Sequence, residues 1–423
     1  MSLKDSFCSS PWLHMRINNA GHYEYCRWIE TLDRNSGPHI RDMDPKEFFQ
    51  QHMSPIRQQF LNGTMPGKCT GCAKMEQHGK ISGRQRQLLK VGVRVEQFEK
   101  TMSSSPWLPV FADRAVDQLP QDWQIELGNY CNSACVFCSP GSSSKLAAEW
   151  KRIGFIQDLP PSNWCDDPVL VEKLVATLKQ TTHIQYLHFI GGETLITPAF
   201  KIILQALIQA GLHHTATIGF TTNISTVPVD IVDLLVQFRG VNIGMSIESF
   251  NNVNDYARWP IRLPTILENI SKWRDLAQQH NWLLQLRTTP TALTVGSLLT
   301  IHDYAWDNNI AVESVNFLDK PACLRPTVLP MQYRQPIINN MKAWIADRPT
   351  NSNTIVNLRD PNVAKQQVVQ DLQSYVKYLT NSPDESNQLP EMMQYLKRIE
   401  AGRGNSILTY LPEYEELFRT AGY

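Results

Sequence analysis

Six short apolar runs, each followed by a longer amphipathic stretch, constrain this chain more than any other feature. They are WQIEL (123–127), IQYLHFI (184–190), TATIGFT (215–221), VNIGMSI (241–247), WLLQLRT (282–288) and AVESVNF (311–317). Runs of this length, rich in β-branched and aromatic residues, read as strands, and the helical patterns between them are long enough to cross back over a sheet. Repeated strand and helix units predict an α/β domain around a parallel sheet, here spanning residues 115–325. Such sheets carry their reactive groups at the C-terminal ends of the strands.

Beyond Pro321 the strand signal fades. The apolar spacing in MQYRQPIINNMKAWI, VVQDLQSYVKYL and PEMMQYLKRIEAG predicts a C-terminal helical extension over 326–423. Residues 1–95 hold four cysteines and the amphipathic PKEFFQQHMSPIRQQFLNG, which reads as a small metal-organised module. TMSSSPWLPVF (101–111) reads as a linker, because its serines and prolines suit neither a helix interior nor a central strand.

Forty basic residues balance forty acidic ones, so no global positive field draws in nucleic acid or an anionic membrane. The start, MSLKDSFCSSPW, lacks the apolar core of a secretion signal, and no apolar run reaches the roughly 18 residues of a membrane span, which predicts a cytoplasmic protein. Of nine cysteines, seven fall in tight or paired arrangements that suggest metal ligation in a reducing compartment rather than a disulfide scaffold.

GNYCNSACVFC sets Cys131, Cys135 and Cys138 in C-x3-C-x2-C spacing directly after the first predicted strand. Three thiolates can hold a cubane [4Fe-4S] cluster at three of its irons and leave the fourth open to an external ligand. The alternative is structural zinc, which usually closes with four ligands, and this loop offers no fourth Cys or His. Gly191-Gly192-Glu193 follows the second predicted strand, where glycines admit a close backbone approach and a carboxylate can accept from an ammonium group. Alone, that tripeptide would read as an ordinary strand-to-helix turn with a capping Glu.

Together these motifs resemble the radical S-adenosylmethionine (radical SAM) superfamily, with its C-x3-C-x-aromatic-C signature, Phe137 as the aromatic, and a GGE-type turn. The resemblance covers about residues 120–320. It implies a partial (βα)6 barrel and S-adenosyl-L-methionine bound at the open iron. Reductive cleavage of that cofactor would give a 5′-deoxyadenosyl radical that abstracts a hydrogen atom from a substrate carbon. It also implies that Phe137, Gly191, Gly192 and Glu193 lie at the cofactor, together with Thr222, Asn223, Ser246, Glu248, Arg258 and Arg287. Ribose hydroxyls and a carboxylate need such polar partners. The alternatives for these residues are turn-forming hydroxyls and structural or surface ion pairs.

Cys8, Cys26, Cys69 and Cys72 supply four thiolates, enough to close either a zinc site or a second iron-sulfur cluster. The segment from Cys8 to Cys26 and the stretch GTMPGKCTGCAKMEQHGKISGRQR resemble the auxiliary-cluster modules called SPASM and twitch domains, here placed before the barrel. That resemblance implies a peptide or protein substrate and a low-potential electron donor of flavodoxin or ferredoxin type. Cys165 reads as a small buried hydrophobe. Cys323, just after the sixth strand, is a candidate hydrogen-atom donor. The competing readings are a zinc-organised scaffold protein, an electron carrier, and radical chemistry on a small molecule or on RNA. For RNA, Trp107, Trp123, Trp150 and Trp164 would stack bases, although the neutral charge disfavours nucleic acid.

Overall fold

The computed structural model describes residues 3–27, 37–77, 79, 81–106, 108–112, 119–181, 184–348 and 358–423; Trp107 lies outside the described residues. The chain divides into two compact units. The first comprises Met1–Tyr130, Pro161–Phe220 and Pro228–Val241, and the second Cys131–Pro160, Thr221–Val227 and Asn242–Tyr423.

In the first unit the strands β1 (His14–Ile17), β2 (Tyr23–Glu24), β3 (Asp122–Glu126), β4 (Tyr186–Ile190) and β5 (Thr217–Thr222, its last two residues in the second unit) lie in the order β2-β1-β3-β4-β5. Only the β1–β2 pair is antiparallel. Every residue of β3 is buried, as expected of a central parallel strand covered on both faces. One face carries Phe189 of β4 and Phe220 of β5, which meet Phe200 of the helix Pro198–Gln209 at ring-centroid distances of 5.1 and 5.9 Å. Fully burying such a side chain is worth roughly 1.5–3 kcal/mol. The neighbouring helix Pro168–Gln180 starts where it does because Asp167 caps the Val169 N–H and Pro168 supplies a pre-set φ.

The sequence reading anticipated six strands from residue 122 onward, and six are there. It did not anticipate β1 and β2, which are four and two residues long and too short to give a periodic signal. β1 pairs in parallel with β3, His14 beside Asp122 and Ile17 beside Ile125, so the N-terminal cysteine module is built onto the sheet edge. The segment 101–111 corrects the linker expectation. The helices Phe98–Ser103 and Leu108–Ala112 send Met102 and Phe111 into an apolar core with Phe7, Trp12 and Phe60. Phe111 lies 5.4 Å from Phe7 and 5.7 Å from Trp12, and this burial outweighs the local preference of serine and proline for open chain.

In the second unit β6 (Gly240–Ser246, its first two residues in the first unit), β7 (Leu283–Thr288) and β8 (Ala311–Val315) run parallel in that order. The helices Leu263–His280 and Leu298–Asp307 lie between them in sequence. The expected C-terminal extension is helical, with Met331–Ala346, Pro361–Asn381 and Leu389–Arg403 as its main helices. Phe317 beyond β8 stacks on Tyr378 of the second of these at 4.4 Å. The α/β class with mostly parallel strands predicted from the sequence is the class found. Among the described residues no helix is long and apolar enough to cross a membrane.

Candidate functional site

The turn after β3 and the turn after β4 are built against each other. Gly192 donates its N–H to the Gly128 carbonyl at 2.9 Å, and Glu193 donates to Tyr130 O at 2.8 Å. Gly191 holds φ at +143°, and a Cβ there would stand 2.8 Å from Gly128 O; a Cβ on Gly192 would overlap the Tyr130 carbonyl. Only glycine fits both positions, so the GGE turn braces the backbone that leads directly into Cys131. The buried Glu193 accepts from the Leu195 N–H at 3.1 Å, the capping role that an isolated GGE would suggest.

The second unit carries the three cysteines. None of the three is joined in a disulfide; Cys135 is buried and the other two are partly exposed. Cys131 takes hydrogen bonds on both sides, its N–H donating to Ser144 Oγ at 3.1 Å and its sulfur accepting from the Ser133 N–H at 3.4 Å. Asn223 Nδ2 donates to Asn132 Oδ1 and Ser133 Oγ at 2.7 and 2.9 Å and stands 4.0 Å from the Cys131 sulfur. Arg258 Nη1 stands 3.9 Å from the Cys135 sulfur, and its guanidinium lies 5.6 Å from the centre of the Phe137 ring. Burial pushes the Cys135 thiol up to about 12, against the pull of Arg258. A buried thiol facing a fixed guanidinium is stable as an anion once a cationic metal centre binds it, so the donor set fits the iron-sulfur centre that the sequence implies.

Glu248 holds Arg258 in place. Its Oε1 accepts from Arg258 Nη2 at 2.7 Å and from Nε at 3.2 Å, while Oε2 accepts from Thr288 Oγ1 and the Thr289 N–H at 2.8 and 2.7 Å. The structure therefore gathers Cys135, Phe137, Glu248 and Arg258, and separately Cys131 with Asn223. Arg287 donates to Thr221 Oγ1 at 2.6 Å and pairs in register with Ser246. Thr222 accepts from the Ile224 N–H at 3.0 Å, which closes a turn around the positive φ of Ile224. Sequence reading missed Asn132, Ser133 and Ser144, polar residues whose role appears only once the loop closes on itself.

Cys8, Cys26, Cys69 and Cys72 line one pocket in the first unit, with Tyr25, Phe60 and Arg84 also on its wall. The Ser10 N–H donates to the Cys8 sulfur at 3.5 Å, and the Tyr25 hydroxyl stands 3.7 Å from the Cys69 sulfur. Burial and the neighbouring thiols raise Cys8, and burial pushes Cys69 up to about 11. Such a gathering of thiols favours a bound cationic centre. Among the described residues, no three His, Cys, Asp or Glu side chains are grouped as ligands of a single metal ion. Arg16 ties the Cys26 side of this module to β3 by bonding Glu24 at 2.7 Å and Glu126 at 2.6 Å.

Of the remaining cysteines, Cys165 is buried and donates to Leu127 O at 3.3 Å, in keeping with the structural reading. Cys323 lies in the turn Ala322–Leu324 and is 3% exposed.

A family model described as "Radical SAM superfamily" matches residues 125–283. Solved structures resembling the chain include Streptococcus suis SuiB bound to S-adenosylmethionine, at 12% identity and TM-score 0.34, covering 70% of this chain and 63% of that one. Another is native anSMEcpe with bound AdoMet, at 13% identity and TM-score 0.39, covering 53% and 60%. The chain thus spans less than two thirds of the length of these structures. A comparison with curated proteins gave no match. The three-cysteine loop and the GGE turn both lie inside the residues, 125–283, that match the radical SAM superfamily model.

Proposed function

We propose that this chain is a radical SAM enzyme in which Cys131, Cys135 and Cys138 hold a [4Fe-4S] cluster with S-adenosyl-L-methionine at its open iron. The observation that carries the reading is the cysteine loop itself, with three cysteines within eight residues and Asn223 and Arg258 approaching two of their sulfurs to 4.0 and 3.9 Å. Bound there, the cluster and cofactor supply one-electron cleavage of the sulfonium to a 5′-deoxyadenosyl radical able to abstract hydrogen from an unactivated carbon.

The chain's own residues bind and orient. Arg258 sets a positive charge beside Cys135, and Glu248 fixes its direction. Gly191, Gly192 and Glu193 present a close backbone and a carboxylate for the cofactor's amino group. Thr222, Asn223, Ser246 and Arg287 offer polar partners for ribose hydroxyls and the carboxylate. Cys323 is the candidate hydrogen-atom donor.

In the same reading, the pocket of Cys8, Cys26, Cys69 and Cys72 holds an auxiliary iron-sulfur cluster. Four thiolates close it to direct substrate ligation and leave electron transfer or fold support as its role. The module's likeness to SPASM and twitch domains supports a peptide or protein substrate. A low-potential flavodoxin or ferredoxin in the cytoplasm would supply the electron.

The test is anaerobic purification, reconstitution with iron and sulfide, reduction with dithionite, and assay of 5′-deoxyadenosine from S-adenosylmethionine. Wild type should form it, and a triple Cys131, Cys135, Cys138→Ala variant should not. Well-loaded wild type that forms none, with zinc in fresh preparations, would support the scaffold reading instead.

A further inference from the structure

The C-terminal helix Leu389–Arg403 reaches back to the cysteine loop with two side chains, and both end on loop carbonyls. The Tyr395 hydroxyl donates to Val136 O at 2.6 Å, and Arg403 Nη2 donates to Ala134 O at 2.6 Å. The N–H groups of the same two residues point the other way: Ala134 donates to Trp259 O at 2.6 Å and Val136 to Ala257 O at 2.9 Å. The backbone on either side of Cys135 therefore has its donors tied to the segment that carries Arg258 and its acceptors tied to the helix.

The helix-side contacts are buried. The Arg403 side chain is 0% exposed and also pairs with Glu149 through Nε at 2.8 Å and Nη2 at 2.7 Å. Glu149 belongs to the helix Ser144–Arg152, whose first residue accepts the Cys131 N–H. Tyr395 is wedged against Phe155 and Trp150, at 5.6 and 6.2 Å between ring centroids. Eight residues apart on one helix, Tyr395 and Arg403 share the face turned to the loop. In a backbone otherwise free to take several conformations, two charge-assisted or buried hydrogen bonds of this kind select one.

From this geometry we infer that Tyr395 and Arg403 are positioning residues that fix the spacing of Cys131, Cys135 and Cys138. The C-terminal extension is then part of the cluster-binding apparatus and not merely a cover. The inference rests on the reading of those cysteines as cluster ligands, but the clamp itself exists without metal and can be measured without it.

Two readouts test it on the full chain. The first is amide exchange of the peptide containing residues 131–138 in metal-free protein. Tyr395→Phe, which keeps the ring and loses only the hydroxyl, should speed exchange there roughly fivefold, the effect of one buried hydrogen bond. The second is the share of iron and of reduced-state EPR signal that wild type loses in the triple cysteine variant. In Tyr395→Phe and in Arg403→Lys that share should be lost to a chelator several-fold faster, with an altered EPR line shape. Arg398→Ala is the control. Arg398 is exposed on the same helix and bonds Ile153 O and Gly154 O at 3.3 and 2.9 Å, docking the helix without reaching the loop.

Unchanged exchange and unchanged iron loss in Tyr395→Phe and Arg403→Lys would overturn the inference. So would an equal effect from Arg398→Ala, since helix docking alone would then account for it. If wild type binds no cluster while exchange responds as stated, the clamp stands as a property of the loop and the cluster reading fails.

Discussion

Arg258 and Glu248 form a buried ion pair, 2.7 Å from Nη2 to Oε1, with side-chain exposures of 9% and 0%. Every lone-pair direction of Glu248 that the structure describes is taken by Arg258, Thr288 or Thr289, so this carboxylate acts as a brace for Arg258 beside Cys135. Removing one partner of such a pair leaves an uncompensated charge. Glu248→Ala should therefore cost about 3–5 kcal/mol of unfolding free energy. A urea titration of metal-free protein measures this, and adding Arg258→Met in a double variant should recover part of the loss. A cost below about 1 kcal/mol would mean the pair is solvated in solution.

The glycines of the GGE turn give a sharper contrast. Gly192→Ala forces a methyl group into the Tyr130 carbonyl, next to Cys131 in the chain, whereas a Cβ on Gly211 meets nothing within 4 Å although its φ is +73°. Gly211→Ala should cost only the strain of a left-handed backbone, about 1 kcal/mol. Gly192→Ala should cost several-fold more and abolish 5′-deoxyadenosine formation, because the turn that launches the cysteine loop has to move. Thermal melts of both variants, read alongside iron content after reconstitution, decide the matter.

Acid stability should be set in part by the pair His14 and Asp122, where β1 meets β3. His14 Nδ1 lies 3.2 Å from Asp122 Oδ1, and Arg27 and Lys90 reach the same carboxylate at 3.2 and 2.7 Å. Burial brings His14 down to about 4, against the pull of Asp122. Burial alone would raise Asp122, but Lys90, Arg27 and His14 together hold it well below the ordinary carboxylate value. Both folded values are depressed. The unfolded chain thus takes up the histidine proton first, and stability falls from near pH 6.5 down to about 4. The Asp122 contribution is lost only below the ordinary carboxylate value. The histidine step corresponds to about 3 kcal/mol. Urea midpoints at pH 7, 5.5 and 4 should show the decline, and His14→Gln should flatten it.

How much of this was legible beforehand depends on the range of the interaction. The six strands and the cysteine loop were readable because each is a local pattern: an apolar run bounded by turns, or a fixed spacing of thiols. Phe137 and Arg258 were named from a resemblance, and the structure brings them together. By contrast, Tyr395, Arg403 and Glu149 carry no local signal, since they meet the loop across more than 250 residues of chain in the case of Tyr395 and Arg403. β1 escaped because four residues cannot show a period, and it becomes a strand only by pairing with β3. The segment 101–111 was misread because serine and proline dominate its composition while Met102 and Phe111 dominate its energetics.

Cys323 presents a test of chemistry rather than of fold. Burial, and to a lesser degree Glu391, pushes its thiol up to about 11, so at neutral pH it keeps its hydrogen. That is the wrong state for a nucleophile and the one a hydrogen-atom donor needs, since its S–H bond is weak enough to quench a carbon radical; the thiyl radical left on Cys323 would return to the thiol with one proton and one electron from the low-potential donor. Cys323→Ala should leave cleavage of S-adenosylmethionine intact and lower product yield on the accepted substrate roughly tenfold or more. In deuterated water, wild type should place deuterium from the exchanged thiol on the product carbon, and the variant should not. Cys323→Ser should fail as the alanine variant does, because an O–H bond is too strong to give up its hydrogen atom at a useful rate. Undiminished turnover in Cys323→Ala would leave this residue, 3% exposed, as a small apolar filler of its turn.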